Sequence, residues 1–106
     1  MKSIFILCLV FSLSCFNLED KSGLYPSSDL KIRGQGDWAK NRYFERIDDF
    51  KKKPIGYNKI VFLGNSITKG GGDWNKRLNV TNIINRGISG DISEGVLERL
   101  DEIVHY

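Results

Sequence analysis

The sequence predicts an α/β chain in which parallel strands alternate with helices. Ile60-Val61-Phe62-Leu63 is an unbroken apolar run with two β-branched residues, the pattern of a short strand buried on both faces. Val80-Thr81-Asn82-Ile83-Ile84 reads as a second strand. The stretch between them, which carries Trp74 and Leu78, has room for a helical crossover, and strands joined that way run parallel.

Taken in order, the chain opens with a leader. Met1-Lys2 supply a positive start, residues 4–11 an apolar stretch, and Ser12 and Ser14 the small residues that signal peptidase reads. The apolar run of roughly a dozen residues is short of the ~20 that a membrane-spanning helix needs. Residues 1–14 are therefore expected to be a secretory signal peptide and the protein to be exported. Leu13-Ser14-Cys15 looks like a bacterial lipoprotein processing site, with Cys15 as the lipidation candidate. A lipid there would tether the protein to a membrane surface without spanning it. Secretion without a lipid is the alternative. Cys8, the other cysteine, lies in the leader, so the mature chain is expected to hold no internal disulfide.

Residues 15–36 are polar, contain Pro26, Ser27 and Ser28, and show no sustained period, so they read as a linker. At residue 37 the character changes. Trp38, Tyr43, Phe44, Ile47 and Phe50 recur on one helix face, with Asp37 as N-cap, residues 51–53 as basic last turn and Pro54 as stop. These aromatics could form a ligand platform, but the simpler reading is a helix packing on the domain. Net charge is +3, and one unit of it is Lys2 in the leader. With the basic residues scattered apart from Lys51-Lys52-Lys53, the balance argues against a nucleic-acid partner.

Gly64 ends the first strand and Asn65-Ser66 follow where the chain must turn. Open α/β sheets place their sites at the carboxyl ends of strands, so the Ser66 hydroxyl is well placed for chemistry. A helix starting just after it would aim backbone N–H groups at an adjacent anion. Gly70-Gly71-Gly72 suggest a flexible loop nearby, able to approach a ligand closely. The Gly-x-x-x-x-Gly-Lys pattern of a phosphate-binding P-loop fails, since the sixth position from Gly64 is Lys69. No Gly-x-Gly-x-x-Gly dinucleotide fingerprint follows the strand either. Ser66-Ile67-Thr68 leaves a phosphate loop of another kind open. After the second strand, residues 85–90 form the next loop. Asp91 and Glu94 have capping-box spacing, opening a helix with Val96, Leu97, Leu100, Ile103 and Val104 inward and Glu98, Arg99, Asp101 and Glu102 mostly outward.

The run Ile60-Val61-Phe62-Leu63-Gly64-Asn65-Ser66-Ile67-Thr68, followed by Asn85-Arg86-Gly87-Ile88-Ser89-Gly90-Asp91 and by residues 95–100, resembles the GDSL/SGNH hydrolase family. It is similar in particular to bacterial acylhydrolases of the platelet-activating-factor acetylhydrolase type. The resemblance covers residues 38–106. It implies a flavodoxin-like three-layer α/β/α parallel sheet, of which the chain supplies the first two strands and their helices. It also implies a serine esterase that needs no cofactor and no metal. Ser66 matches the nucleophile, which forms an acyl-enzyme that water then hydrolyses. The backbone N–H groups of Ser66 and Gly90 match two oxyanion-hole donors, with Gly64 and Asn65 in supporting positions. The implied substrate is an acyl ester, in the first place an acetyl ester, of a carbohydrate or a small lipid.

The sequence departs from the family pattern at three places. Asn65 stands where the family has aspartate, and the Gly-x-Asn-Asp and Asp-x-x-His blocks are absent. His105, the only histidine, falls at a helix end without that spacing. The family sheet has about five strands, an ordinary number for a sheet, and two bury little surface. Residues 37–106 are thus expected to be the N-terminal part of a truncated hydrolase domain, marginally stable alone. Two alternatives stay open: a non-catalytic remnant or surface module, and a phosphate-binding flavodoxin-like module built on the Ser66 loop.

Overall fold

The computed structural model describes residues 20–106, so the expected signal peptide and Cys15 lie outside the described residues. The fold is mixed α/β. A 3-10 turn over Lys21–Leu24 precedes α1 (Asp37–Lys52), β1 (Ile60–Gly64), α2 (Ser66–Gly70), α3 (Trp74–Leu78), β2 (Ile83–Gly87), α4 (Ser93–Leu97) and α5 (Leu100–His105). The two strands are parallel and adjacent, in register from Ile60 opposite Ile83 to Gly64 opposite Gly87.

α1 buries the expected face except at Trp38, in its first turn. Tyr43, Ile47 and Phe50 are its buried residues, and Gly36 rather than Asp37 occupies the N-cap. The core cluster joins them to Ile88, just past β2, and to Ile32. Tyr25, Leu30, Phe44 and Ile92 pack against it. Residues 25–32, inside the stretch read as a linker, thus lie against the domain. Trp38 faces outward, 60 % exposed. The Tyr43 hydroxyl donates to the Gly95 carbonyl at 2.7 Å, tying α1 to α4.

β2 begins three residues later than the apolar run suggested. Asn79 ends α3 in the left-handed region (φ 52°), and the Val80 amide donates to the Asn75 carbonyl at 3.0 Å. Val80 is therefore held to the helix end and cannot extend a strand. The Asn75 side chain then brackets Ile83, accepting from its amide at 2.7 Å and donating to its carbonyl at 2.9 Å. The strand runs on through Asn85, Arg86 and Gly87, residues expected to be loop. β1 also differs from expectation, being exposed at Ile60 and only half-buried beyond it.

The segment after β2 departs most from its helical pattern. A continuous helix was expected to put Arg99 and Glu102 in water. Instead the helix breaks at Glu98 and Arg99, and the break rotates the register. Arg99 and Glu102 are buried, while Leu97 and Val104 turn outward. Asp91 is not a cap: Ile92 holds the N-cap position of α4, and Asp91 is buried in an ion pair.

Candidate functional site at the carboxyl edge of the sheet

Because Gly64 and Gly87 are opposite each other, the loops that leave them start side by side. The Ile88 amide donates to the Gly64 carbonyl at 3.0 Å, carrying the ladder one step beyond the strands. On the β1 side, the Asn65 side chain accepts from the Ile67 amide at 3.2 Å and caps α2. Asparagine can make this bond as aspartate would. Ser66 is the first residue of α2 and is exposed. With only five residues, α2 contributes little of the dipole field that a longer helix would give. The Ser66 hydroxyl donates to no histidine or carboxylate among the described residues.

On the β2 side, Ser89 and Gly90 form a turn closed by the Asp91 amide donating to the Ile88 carbonyl at 3.1 Å. Gly90 has φ 82°. A Cβ there would stand 2.9 Å from a Trp38 ring carbon and 3.1 Å from the Ala39 Cβ. Its lack of a side chain thus answers to backbone conformation and to the start of α1, two demands that need no substrate.

In the glycine-rich loop Gly71 is likewise committed to packing, while Gly70 and Gly72 face open space. A Cβ on Gly71 would overlap the Trp74 ring. That ring stacks edge-on against Phe62 and donates from Nε1 to the Thr68 carbonyl at 2.8 Å. Asn85 gathers the end of α2, its amide donating to the carbonyls of Thr68, Lys69 and Gly72.

Beneath both loops lies a group that sequence reasoning missed. Arg99, 4 % exposed, donates from Nη1 to the Arg86 carbonyl at 2.7 Å and from Nη2 to the Gly64 carbonyl at 3.1 Å. Its Nε and Nη2 meet Asp91 Oδ2 at 2.9 and 2.8 Å. Asp91 Oδ1 accepts from the Ile92 amide at 3.0 Å. Burial pushes the Asp91 carboxyl up, while the Arg99 charge and the Ile92 amide pull it back. An Asp–Arg pair eight residues apart across a helix break has no local signature. The only sequence clue was the capping-box spacing, which gave Asp91 the wrong partner.

A second buried pair stands on the α1 side. Arg86 bonds both Glu102 oxygens at 2.8 and 3.1 Å, and its guanidinium lies 4.3 Å from the Phe50 ring centre. The Tyr25 hydroxyl donates to the same carboxylate at 2.6 Å. Desolvation and the Glu102 hydrogen bond push the Tyr25 phenol up.

A cavity of about 460 Å³ opens beside the end of β1, walled by Gly64, Asn65, Asp91, Ile92, Val96 and Leu97. Ser66 and Gly90 do not line it. A hollow of about 500 Å³ between α1 and β2 is lined by Arg46, Phe50, Lys53 and Arg86 and includes no residue of the two loops. Among the described residues no three His, Cys, Asp or Glu side chains come together as a metal site. No helix among them is long and apolar enough to cross a membrane. No protein-family model matches the sequence, and no curated protein matches it.

Proposed function

We propose that the chain belongs to an exported serine carboxylic-ester hydrolase of the GDSL/SGNH type, with a flavodoxin-like sheet. Its substrate is an acetyl or other short acyl ester of a carbohydrate or small lipid. The observation that carries this reading is the register of Gly64 with Gly87, because it sets the two motif loops next to each other at the carboxyl edge of the sheet. Ser66 attacks the ester carbonyl, and the alcohol departs carrying the proton of the serine hydroxyl. Water then hydrolyses the acyl-enzyme to the acid and free serine, and the N–H groups of Ser66 and Gly90 receive the oxyanion in both steps. One such donor contributes roughly 3–4 kcal/mol of transition-state stabilisation.

A specific observation favours the non-catalytic alternative. Ser66 has no base in hydrogen-bond reach among the described residues, and Asp91 is occupied by Arg99. The two readings separate in one assay of the full chain with p-nitrophenyl acetate. Hydrolysis that disappears in Ser66→Ala, with the far-ultraviolet circular dichroism unchanged, supports the esterase. Equal rates for wild type and Ser66→Ala overturn the esterase and leave the remnant or surface module and the phosphate-binding module, which calorimetry with inorganic phosphate separates.

A further inference from the structure

The Ser66 and Gly90 amides belong to different loops, and a pair of oxyanion donors works only if their separation is fixed to fractions of an ångström. The backbone ladder does not extend that far, since its last bond joins Ile88 to Gly64. Beyond it, two side chains bridge the loops: Asn85, between the Gly87 amide and the carbonyls of Thr68, Lys69 and Gly72, and Arg99, which of the two reaches Asp91 beside Gly90. Arg99 binds the Gly64 carbonyl, two residues before Ser66, and the Asp91 carboxylate, one residue after Gly90. It also binds the Arg86 carbonyl between them. We propose that Arg99 is the positioning residue of this site, a clamp that holds the Ser66 and Gly90 loops at one separation.

The chemistry of the guanidinium fits that task. Its planar fork presents N–H donors in fixed directions, so three acceptors bound at once are also held in fixed relation to one another. A lysine would keep the charge but present it at a single point. Asp91 in turn is fixed through both oxygens, by Arg99 and by the Ile92 amide, so the lever from guanidinium to Gly90 has no free joint. The purpose of the clamp rests on the esterase reading, whereas the clamp itself does not.

The test is carried out on the full chain with Arg99→Lys, read by amide hydrogen exchange and by kinetics with p-nitrophenyl acetate. Exchange at the Ile67 and Asp91 amides, the hydrogen-bonded amides of the two loops, is expected to rise at least tenfold, with the amides of Tyr43, Ile47 and Phe50 in α1 unchanged. kcat is expected to fall about 10–100-fold with KM nearly constant, as for a reacting geometry displaced by up to an ångström. Asp91→Asn, which loosens the clamp from its other end, should give the same pattern with smaller amplitude. A uniform rise in exchange, no rise at the two loops, or loss of the fold in both variants would overturn the proposal, because Arg99 would then be holding the molecule or nothing. If the wild type shows no hydrolysis, the esterase reading fails by itself, and the exchange pattern still decides the clamp.

Discussion

Gly87 shows how little a single position tolerates. A Cβ there would overlap the Lys69 backbone, with the Lys69 Cα only 2.7 Å away, and backbone cannot swing aside as a side chain can. Gly87→Ala is therefore expected to cost about 2–3 kcal/mol, as overpacking does. Gly70→Ala, with nothing within 4 Å of its Cβ, should change stability by less than about 0.5 kcal/mol. Urea unfolding of the two variants beside wild type checks both values. At this scale Ser66 and Gly64 were legible, because a glycine and a serine at a strand end need only local reasoning. The burial of Arg99 and Glu102 was not, since it depends on partners at Asp91, Gly64, Arg86 and Tyr25 that lie far off along the chain.

Among the elements, α1 was the easiest to read. Its apolar period matches its buried face at Tyr43, Ile47 and Phe50 but not at Trp38, which is exposed, and Pro54 stops it where expected. Tyr43 sits at its centre with no exposed surface, and burial pushes its phenol well above the ordinary value of 10.0. The folded state therefore keeps the proton that the unfolded chain loses above pH 10, and stability must fall as pH rises through that value. The expected slope is about 1.4 kcal/mol per pH unit from this group. Tyr43→Phe should remove this group's share of the slope and leave that of Tyr25, whose phenol is also pushed up, at a cost of about 1–2 kcal/mol at neutral pH for the Gly95 carbonyl left without its donor. Denaturant titrations at pH 8, 10 and 11 measure both effects. The shorter elements were harder to read. α4 and α5 share one periodic stretch, and nothing local marks the break that turns Leu97 and Val104 outward.

The whole molecule rests on a small core. Ile32, Tyr43, Ile47, Phe50, Ile55, Ile83 and Ile88 are its buried apolar residues among those described, and Ile67, Leu97 and Val104 remain largely exposed. A core of that size supplies at most about 3–5 kcal/mol, so the unfolding free energy of the chain is expected to stay below about 5 kcal/mol in urea titrations. A larger value would show that the exposed apolar residues find cover in solution. The two edges of the sheet also differ. The outer edge of β2 is bracketed by Asn75 at Ile83 and by Arg46 at the Gly87 carbonyl, whereas among the described residues β1 pairs with β2 alone.

By itself the sequence determined the α/β alternation, the parallel crossover, helix α1 and the placing of Gly64, Asn65 and Ser66 at the end of β1. Each follows from a period, a stop residue or a turn within a few positions of the residue concerned. Tertiary structure alone decided where β2 begins, where the last helix breaks, and that Arg99 and Asp91 tie the two loop roots together. The start of β2 turns on Asn75 and the left-handed Asn79, and the other two outcomes turn on burying charged groups, where a charge goes inward only if other parts of the chain supply every partner it needs.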